Sequence, residues 1–531
     1  MEKSDYQKLL TILLLIAFLV YGLVFIYHTS FRVEGKRYFC LFDDAMISMT
    51  YARNLARGNG LVWHPEGEKV EGCTNLLWVV FMSVFHLLPL DESRISLCIQ
   101  ICALLILTVN LVFVKRISDL LWEDCWCSWG AMLLTAFYLP LNNWSLQGME
   151  VSALTLLVTL SVWSALKAQT RNVLPFLPFL FIGIGALIRL DMVVPSLGFL
   201  LFFLWDNPHH RTRLRTGGLL FLFLCLLGQT LFRTFYYGDI LPNPYYLKIT
   251  GIPLSMRIFR GTIVLGLFLW KMNWVLFFLP FMMLLVTGSR KTRLLAVLVF
   301  LQMGYSVYAG GDSWEWWGGA NRFLSIVMPL FFILFSGSLR EILTMLSSQS
   351  WSWGFRREVI WRGIYLGILL AALVNFNAIR GPGALKEWLL LDRPLHVADH
   401  REKVEEALLL KRITRPDARV AVAWSGIPIY FSGRQGVDLL GKNDRKIARE
   451  PMREIDSFHQ FTPGHLKRDY AYSIGELKPD VVAELTREPD EAKPYLEESY
   501  QVFDTGTFHM FLRRNSDRIL WEEVTRLEKE R

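Results

Sequence analysis

The chain has 531 residues, 53% of them hydrophobic, including 37 Phe and 19 Trp. That balance, with a mean hydropathy of +0.32, excludes an ordinary soluble globular protein. The net charge of +8 comes from Lys and Arg spread over short segments between apolar runs. It points to membrane orientation and anionic headgroups, not to nucleic acid.

The first apolar run, LLTILLLIAFLVYGLVFIY (9–27), has no small-x-small cleavage site and is long for a signal-peptide core. It predicts an uncleaved span. Further apolar runs follow at 94–114, 126–141, 150–167, 172–188, 191–205, 217–236, 272–287, 293–309, 323–338 and 360–378. Segment 76–90 is apolar but only 15 residues long, and it contains His86 and Pro89. It is expected to lie half-inserted or interfacial. With the N-terminus inside, Lys115 and Arg116, Lys167 and Arg171, and the basic stretches 209–215, 289–293 and 355–362 fall on the cytoplasmic side. The expected fold class is an α-helical polytopic membrane protein of about 11 transmembrane helices, with a soluble α/β domain outside the membrane. The membrane module is expected over 1–378, with a first exoplasmic loop and interfacial helices at 28–92. The polar tail, 379–531, alternates short apolar strands such as ARVAVAWSG (418–426) with helical patterns.

Seven Cys show neither CxxC nor zinc-like Cys/His spacing. Cys40 and Cys73 bracket the opening loop. They are read either as a disulfide, if that loop is extracytoplasmic, or as two unpaired thiols.

The threading gathers polar, Gly/Pro-marked loops on the outer face. They carry carboxylates (Asp43, Asp44, Glu150, Asp191, Asp239, Asp312, Glu315), cations (Arg53, Arg189, Lys248, Arg322) and aromatic rings (Trp63, Tyr245, Tyr246, Trp314, Trp316, Trp317). Carboxylates accept sugar hydroxyl hydrogens or act as a general base. Arg and Lys hold a phosphate as charge develops on it. Together these suggest glycosyl transfer from a lipid phosphate. Each also has a structural reading: an interfacial aromatic belt, a turn at Asp239 before Pro242, or an Arg189–Asp191 pair serving the backbone. The adjacent Asp43 and Asp44, flanked by apolar residues, favour function.

An Asp pair opening the first exoplasmic loop resembles the GT-C superfamily of membrane glycosyltransferases, which use polyprenyl-phosphate sugars. More closely, DDAMISMTYARNLARGNGLVWHPEGEKVEGCTNLLW, QGMEVSALTLL, YGDILPNPYYLKI, VYAGGDSWEWWGGANRFLSIVMPL, VDLLGKNDRKIARE and PGHLKRDYAY resemble, in order, segments of the family containing the mycobacterial terminal β-arabinofuranosyltransferase. The chain departs from that pattern at His64, Cys73, Pro244 and Leu190-Asp191, while the Asp pair, Glu71, Glu150, Lys248, Asp312 and Arg322 stay in place.

The resemblance implies an enzyme of the bacterial cytoplasmic membrane, N-terminus inside and C-terminal domain outside. It would transfer a sugar, such as arabinofuranose or another pentose, from a polyprenyl-phosphate donor to a cell-envelope glycan acceptor. Asp43 or Asp44 would be the catalytic base. Arg53, Glu71, Glu150, Arg189, Asp239, Lys248, Asp312 and Arg322 would bind donor phosphate and sugar. Trp314, Trp316, Trp317, His465 and Asp469 would meet the acceptor, and Asp438 and Asp444 sit in similar loops. No signature requires a cofactor; a divalent cation bridging Asp43 and Asp44 stays open. Two other classes compete. A lipid-linked sugar flippase or transporter would place ionisable groups deep in its spans, which the apolar runs lack. A non-catalytic envelope-assembly subunit gives no reason for the charges to collect on one side.

Overall fold

Apolar runs become helices because a backbone out of reach of water must satisfy its own hydrogen bonds. The computed structural model describes residues 3–171, 176–204, 212–315, 321–349, 354–486 and 489–530. Among the described residues, six helices are long and apolar enough to cross a bilayer: Asp5–His28, Glu92–Trp122, Thr216–Tyr237, Arg290–Ala309, Met328–Ser347 and Glu358–Asn377. They mark a multi-pass membrane protein. Two bent pairs raise the number to eight: Leu139–Leu146 with Val151–Lys167, bent by 120°, and Asn243–Ile249 with Leu254–Lys271, bent by 91°. Five shorter apolar helices, among them Cys125–Ala136 and Trp274–Thr287, complete the set. The expected count of 11 spans is therefore not established.

Two segments differ from the sequence expectation. Residues 254–271, between the expected spans 217–236 and 272–287, form an 18-residue helix. Arg257 and Arg260 interrupt its apolar pattern, yet both are buried. The run 126–141 breaks after Ala136 and restarts as the buried helix Leu139–Leu146, which has Pro140 in its first turn. Leu76–Phe85 has ten residues. At 1.5 Å per residue it covers about half a hydrocarbon core.

The chain divides into two compact units. One comprises residues 1–28, 100–229 and 254–395 and is helical. In it, Cys125–Ala136 packs on Met328–Gln349, Val151–Arg171 on Phe176–Ile188, and Leu254–Lys271 on Arg290–Ala309. Leu13, Ile16 and Val20 on the first helix are half exposed, a stripe that suits lipid. Where helix ends are buried, polar side chains close them: Asn377 accepts from the Leu139 amide at 2.6 Å and donates to the Phe137 carbonyl at 2.9 Å.

The other unit comprises residues 29–99, 230–253 and 396–531. It opens with a hairpin of β1 (Ser30–Val33) and β2 (Lys36–Phe39), then the helix Asp43–Ala56, which packs on Leu76–Phe85 and on Ile427–Ser432. Its sheet uses β3 (Arg419–Val422), β4 (Gln435–Asp438), β5 (Val481–Val482), β6 (Tyr500–Asp504) and β7 (His509–Arg513), in the order β4-β3-β5-β7-β6. The pairs β3–β4 and β3–β5 are parallel, and β7 runs antiparallel to both β5 and β6. Ala421, Val437, Val482, Tyr470 and Leu496 fill its core. The edge strand β4 leads directly into the loop 439–444.

Candidate active site

The helix Asp43–Ala56 has Phe42 as its N-cap and no side-chain cap, so its first amides need other partners. Asp43 and Asp44 stand in this first turn, where the helix dipole favours negative charge. Asp43 is buried, at 4% exposure. Its Oδ1 accepts from the amides of Gly426 at 3.1 Å and Ile427 at 2.8 Å, at the start of the helix Ile427–Ser432. A side chain at residue 426 would collide with the Asp43 carbonyl oxygen, so only glycine allows this approach. Asp44 is partly exposed, and its Oδ1 receives Lys442 Nζ at 2.8 Å.

The two carboxyls are thereby separated in chemistry. Burial raises the Asp43 carboxyl to about 7, and Asp44 adds to the rise, while Lys442 and the Ile427 amide oppose it. Burial works against the Lys442 charge, but Asp44 and Asp43 outweigh it and hold the ammonium above its usual range. Two carboxylates beside one ammonium leave one charge uncompensated, and a buried carboxyl relieves this by keeping its proton up to neutral pH.

The loop that presents Lys442 is held from both sides. Asp438, at the end of β4, accepts from the amides of Leu440 (2.9 Å), Gly441 (3.0 Å) and Asn443 (2.8 Å). Asn243 Nδ2 donates to the carbonyls of Gly441, Lys442 and Asp444, at 2.9, 3.0 and 3.0 Å. The Tyr51 hydroxyl donates to the Val70 carbonyl at 2.7 Å and accepts from the Gly72 amide at 2.9 Å. Glu71 between them takes a two-pronged pair from Arg233, at 2.6 and 3.0 Å, with both side chains buried. Burial nonetheless pushes the Glu71 carboxyl up, against the pull of Arg233.

The other residues named from the sequence fall as follows. Arg53 donates to the Tyr430 carbonyl at 2.5 Å and to Glu92 at 3.2 Å, lying over the Tyr430 ring. Asp239 pairs with Arg445 at 3.1 Å and Arg449 at 2.5 Å. Lys248 runs beside Gly464, next to His465 in sequence. Asp469 caps the turn at Tyr472 and lies 3.9 Å from Lys446. Asp444 caps the helix Arg445–Arg449 through the Ile447 amide. All of these belong to the unit that holds the Asp pair.

The helical unit gathers the rest. Arg189 bridges Glu150, at 2.8 Å, and Asp191, at 2.7 Å through Nε. Arg322 meets Asp312 at 3.1 Å and lies over the Trp144 ring. Glu315 accepts from the Asp312 amide at 3.0 Å and from Asn321 at 2.8 Å, and stands 3.7 Å from Arg260. Burial lifts the Glu315 carboxyl to about 8 in spite of Arg260. Trp314 is buried. Trp316 and Trp317 lie outside the described residues.

Cys40 and Cys73 are buried free thiols, not a disulfide. Asp43 is gripped by amides, Asp44 by Lys442, and among the described residues no group of three or more His, Cys, Asp or Glu is placed to hold a metal ion.

Sequence reasoning passed over Lys442, Gly426, Arg233, Asn243 and Arg260. For Lys442 a signal existed: Gly-Lys-Asn-Asp after a short apolar strand reads as a tight loop carrying a cation toward whatever the strand faces. The partners of Gly426 and Arg233 lie 383 and 162 residues away, and no local pattern announces them.

A protein-family profile described as "Domain of unknown function (DUF8728)" matches residues 395–521. No curated protein matches the chain. Among solved structures the chain is similar to ArnT from Cupriavidus metallidurans bound to undecaprenyl phosphate. The TM-score is 0.58 and the identity 11%, over 95% of this chain and 98% of that one. The apo form of the same protein gives 0.57 and 12%, over 94% and 97%. It is similar also to the oligosaccharyltransferase AglB from Archaeoglobus fulgidus, in complex with an inhibitory peptide and a dolichol-phosphate. There the TM-score is 0.58 and the identity 10%, over 97% of this chain and 75% of that one. At such identities the likeness is one of fold alone. The narrower resemblance to the arabinofuranosyltransferase family finds no support in these comparisons.

Gly426→Ala is expected to cost about 1–3 kcal/mol, because backbone must move to admit the methyl group. Thermal unfolding in detergent measures this, and an unchanged midpoint would refute the grip on Asp43. Asp43→Asn tests the burial of the charge. A carboxyl raised to about 7 in the folded chain contributes stability at low pH that is lost as pH rises through 7. The Asn variant should therefore gain on wild type at pH 8 and not at pH 5.

Proposed function

We propose that the chain is a membrane glycosyltransferase that transfers a sugar from a polyprenyl-phosphate donor to a cell-envelope glycan, with Asp43 as the general base. The observation that carries this is the division of labour in the Asp pair. Asp44 is neutralised by Lys442, while the carboxyl of Asp43 is fixed by two amides and tuned to about 7. A base works best when its pKa lies near the working pH. The GT-C fold, in neighbours solved with undecaprenyl phosphate and dolichol-phosphate, supports the reading. That the sugar is a pentose such as arabinofuranose rests on the sequence resemblance alone.

In this mechanism Oδ1 of Asp43 stays on the Gly426 and Ile427 amides. Among the described residues no hydrogen bond reaches Oδ2, and this oxygen takes the acceptor hydroxyl proton. The acceptor oxygen forms its bond to the anomeric carbon as the bond from that carbon to the phosphate oxygen breaks. The polyprenyl phosphate leaves with the bonding pair. The transition state has oxocarbenium character, as in glycoside hydrolysis. Lys442 offsets negative charge beside the pair, and Lys248 is the second cation proposed for the phosphate. Arg53 and Glu71, with partners of their own, act by positioning. No step in this reading requires a divalent cation.

Asp43→Asn should lower transfer by at least about 100-fold, the lower end of general-base contributions. Asp44→Asn should lose less. The wild-type rate should rise with pH through about 7, as Asp43 gives up its proton. Lys442→Gln removes the charge that lowers the Asp43 pKa, so its rising limb should move to higher pH. Asp44→Asn removes the charge that raises it, so its limb should move lower. Rates of purified protein with a synthetic polyprenyl-phosphate sugar, measured from pH 5 to 9, decide both points. Limbs that do not move, or an active Asp43→Asn, would remove Asp43 as the base.

A further inference from the structure

The unit that holds the Asp pair also contains a cavity of about 360 Å³. It falls in the roughly 300–1,000 Å³ range of small-molecule sites. It runs along the edge strand β4, and none of the catalytic steps above uses it. Its walls combine four rings, Tyr51, Trp63, His64 and Tyr472, with the polar side chains of Gln435, Asn443 and Asp444.

Several features show a built site. The Trp63 indole packs so closely on Gly436 that any side chain there would collide with its ring. The platform is therefore fixed by the edge strand. Tyr472 hydrogen-bonds Asp444, which itself caps a helix. Burial lowers the His64 pKa and so disfavours the charged imidazolium. Its Nδ1 accepts from the Glu66 amide at 3.1 Å.

The charge of the lining selects the ligand. Glu66, Glu68, Asp438 and Asp444 face Arg419 alone among the fixed cations of the wall, which disfavours phosphate and carboxylate groups. Aliphatic lining is confined to Val437 and Leu477, too little for a lipid chain. An uncharged polyol fits. Ring faces take its C–H surface, and amide and carboxylate groups take its hydroxyls. The cavity also shares two elements with the Asp pair. Tyr51 lies eight residues beyond Asp43 on the same helix, about 12 Å at 1.5 Å per residue. Asn443 directly follows Lys442.

We infer that this cavity is a carbohydrate subsite, binding one or two uncharged sugar rings of the acceptor glycan behind the residue that receives the new sugar. The inference rests on the glycosyltransferase reading for the word acceptor; the cavity's preference for neutral sugar does not.

The test uses the full chain in detergent micelles and four soluble probes: xylotriose, mannotriose, maltotriose and an arabinofuranosyl triose. Calorimetric titration should find millimolar binding of at least one. His64→Ala and Gln435→Ala should each weaken it by about tenfold, or about 1.4 kcal/mol, with an unchanged melting midpoint. Both side chains are only partly buried, so the variants should fold. No binding of any triose at about 20 mM, or binding that neither variant weakens, overturns the subsite. Release of sugar from the polyprenyl-phosphate donor to water, which needs no acceptor, is measured alongside. Bound triose without release leaves the subsite standing and sinks the transferase reading. Release without bound triose does the reverse.

Discussion

Everything in the sheet-bearing unit depends on how one buried carboxylate is tolerated. Asp43 is nearly inaccessible, yet it stands one residue from a second carboxylate. An isolated charge in that position costs several kcal/mol or takes up a proton. Here the cost is divided. Two backbone amides at the start of Ile427–Ser432 hold Oδ1, Lys442 takes Asp44, and a proton near neutral pH settles the remainder. The elements responsible come from opposite ends of the chain, 383 and 398 residues apart. The first loop and the polar tail therefore meet as one folded body, and the tail helps to set the chemistry of the Asp pair.

The other charged motif residues obey the same constraint in simpler form. Glu71 with Arg233, and Asp312 with Arg322, are close pairs with little exposure. Arg189 is shared by two carboxylates, Glu150 and Asp191. Such pairs contribute little net stability over a well-packed apolar substitute, but they penalise any arrangement that separates them. They act as positioning devices. The pair at Glu71 fixes the turn whose backbone engages Tyr51 and Asn243, and Asn243 in turn holds the loop of Lys442. Burial raises a carboxyl in each unit, Asp43 in one and Glu315 in the other.

What was legible in the sequence follows from the range of the interactions involved. Long apolar runs such as 9–27 declare helices, because bilayer thickness sets their length. The Asp pair was legible because two adjacent carboxylates between apolar residues have few structural uses. The helix at 254–271 was not, since Arg257 and Arg260 look like loop charges until their partners are known. Those partners are the carbonyls of Tyr308, Gly310 and Asp312 and the carboxylate of Glu315. The roles of Arg53, Asp239 and Glu71 were illegible for the same reason. A cation and a carboxylate in two motifs read as free ligand contacts, and only the fold shows Asp239 taken by Arg445 and Arg449.

The loop 439–444 shows why residues distant from the chemistry belong to it. Lys442 is not on a helix or strand, so its position comes entirely from hydrogen bonds: three amides on Asp438 and three carbonyls on the Asn243 amide group. A catalytic group must be held to within a fraction of an ångström to keep its effect. Loss of either anchor would let the ammonium drift from Asp44, and the Asp43 carboxyl would feel two uncompensated changes at once. Its neighbour would regain full negative charge, and its nearby cation would recede. Both push the Asp43 carboxyl upward, away from the base form. A motif such as YGDILPNPYYLK thus bears on the Asp pair through Asn243 and the loop it holds, without touching Asp43, and its Asn need not contact substrate to belong to the site.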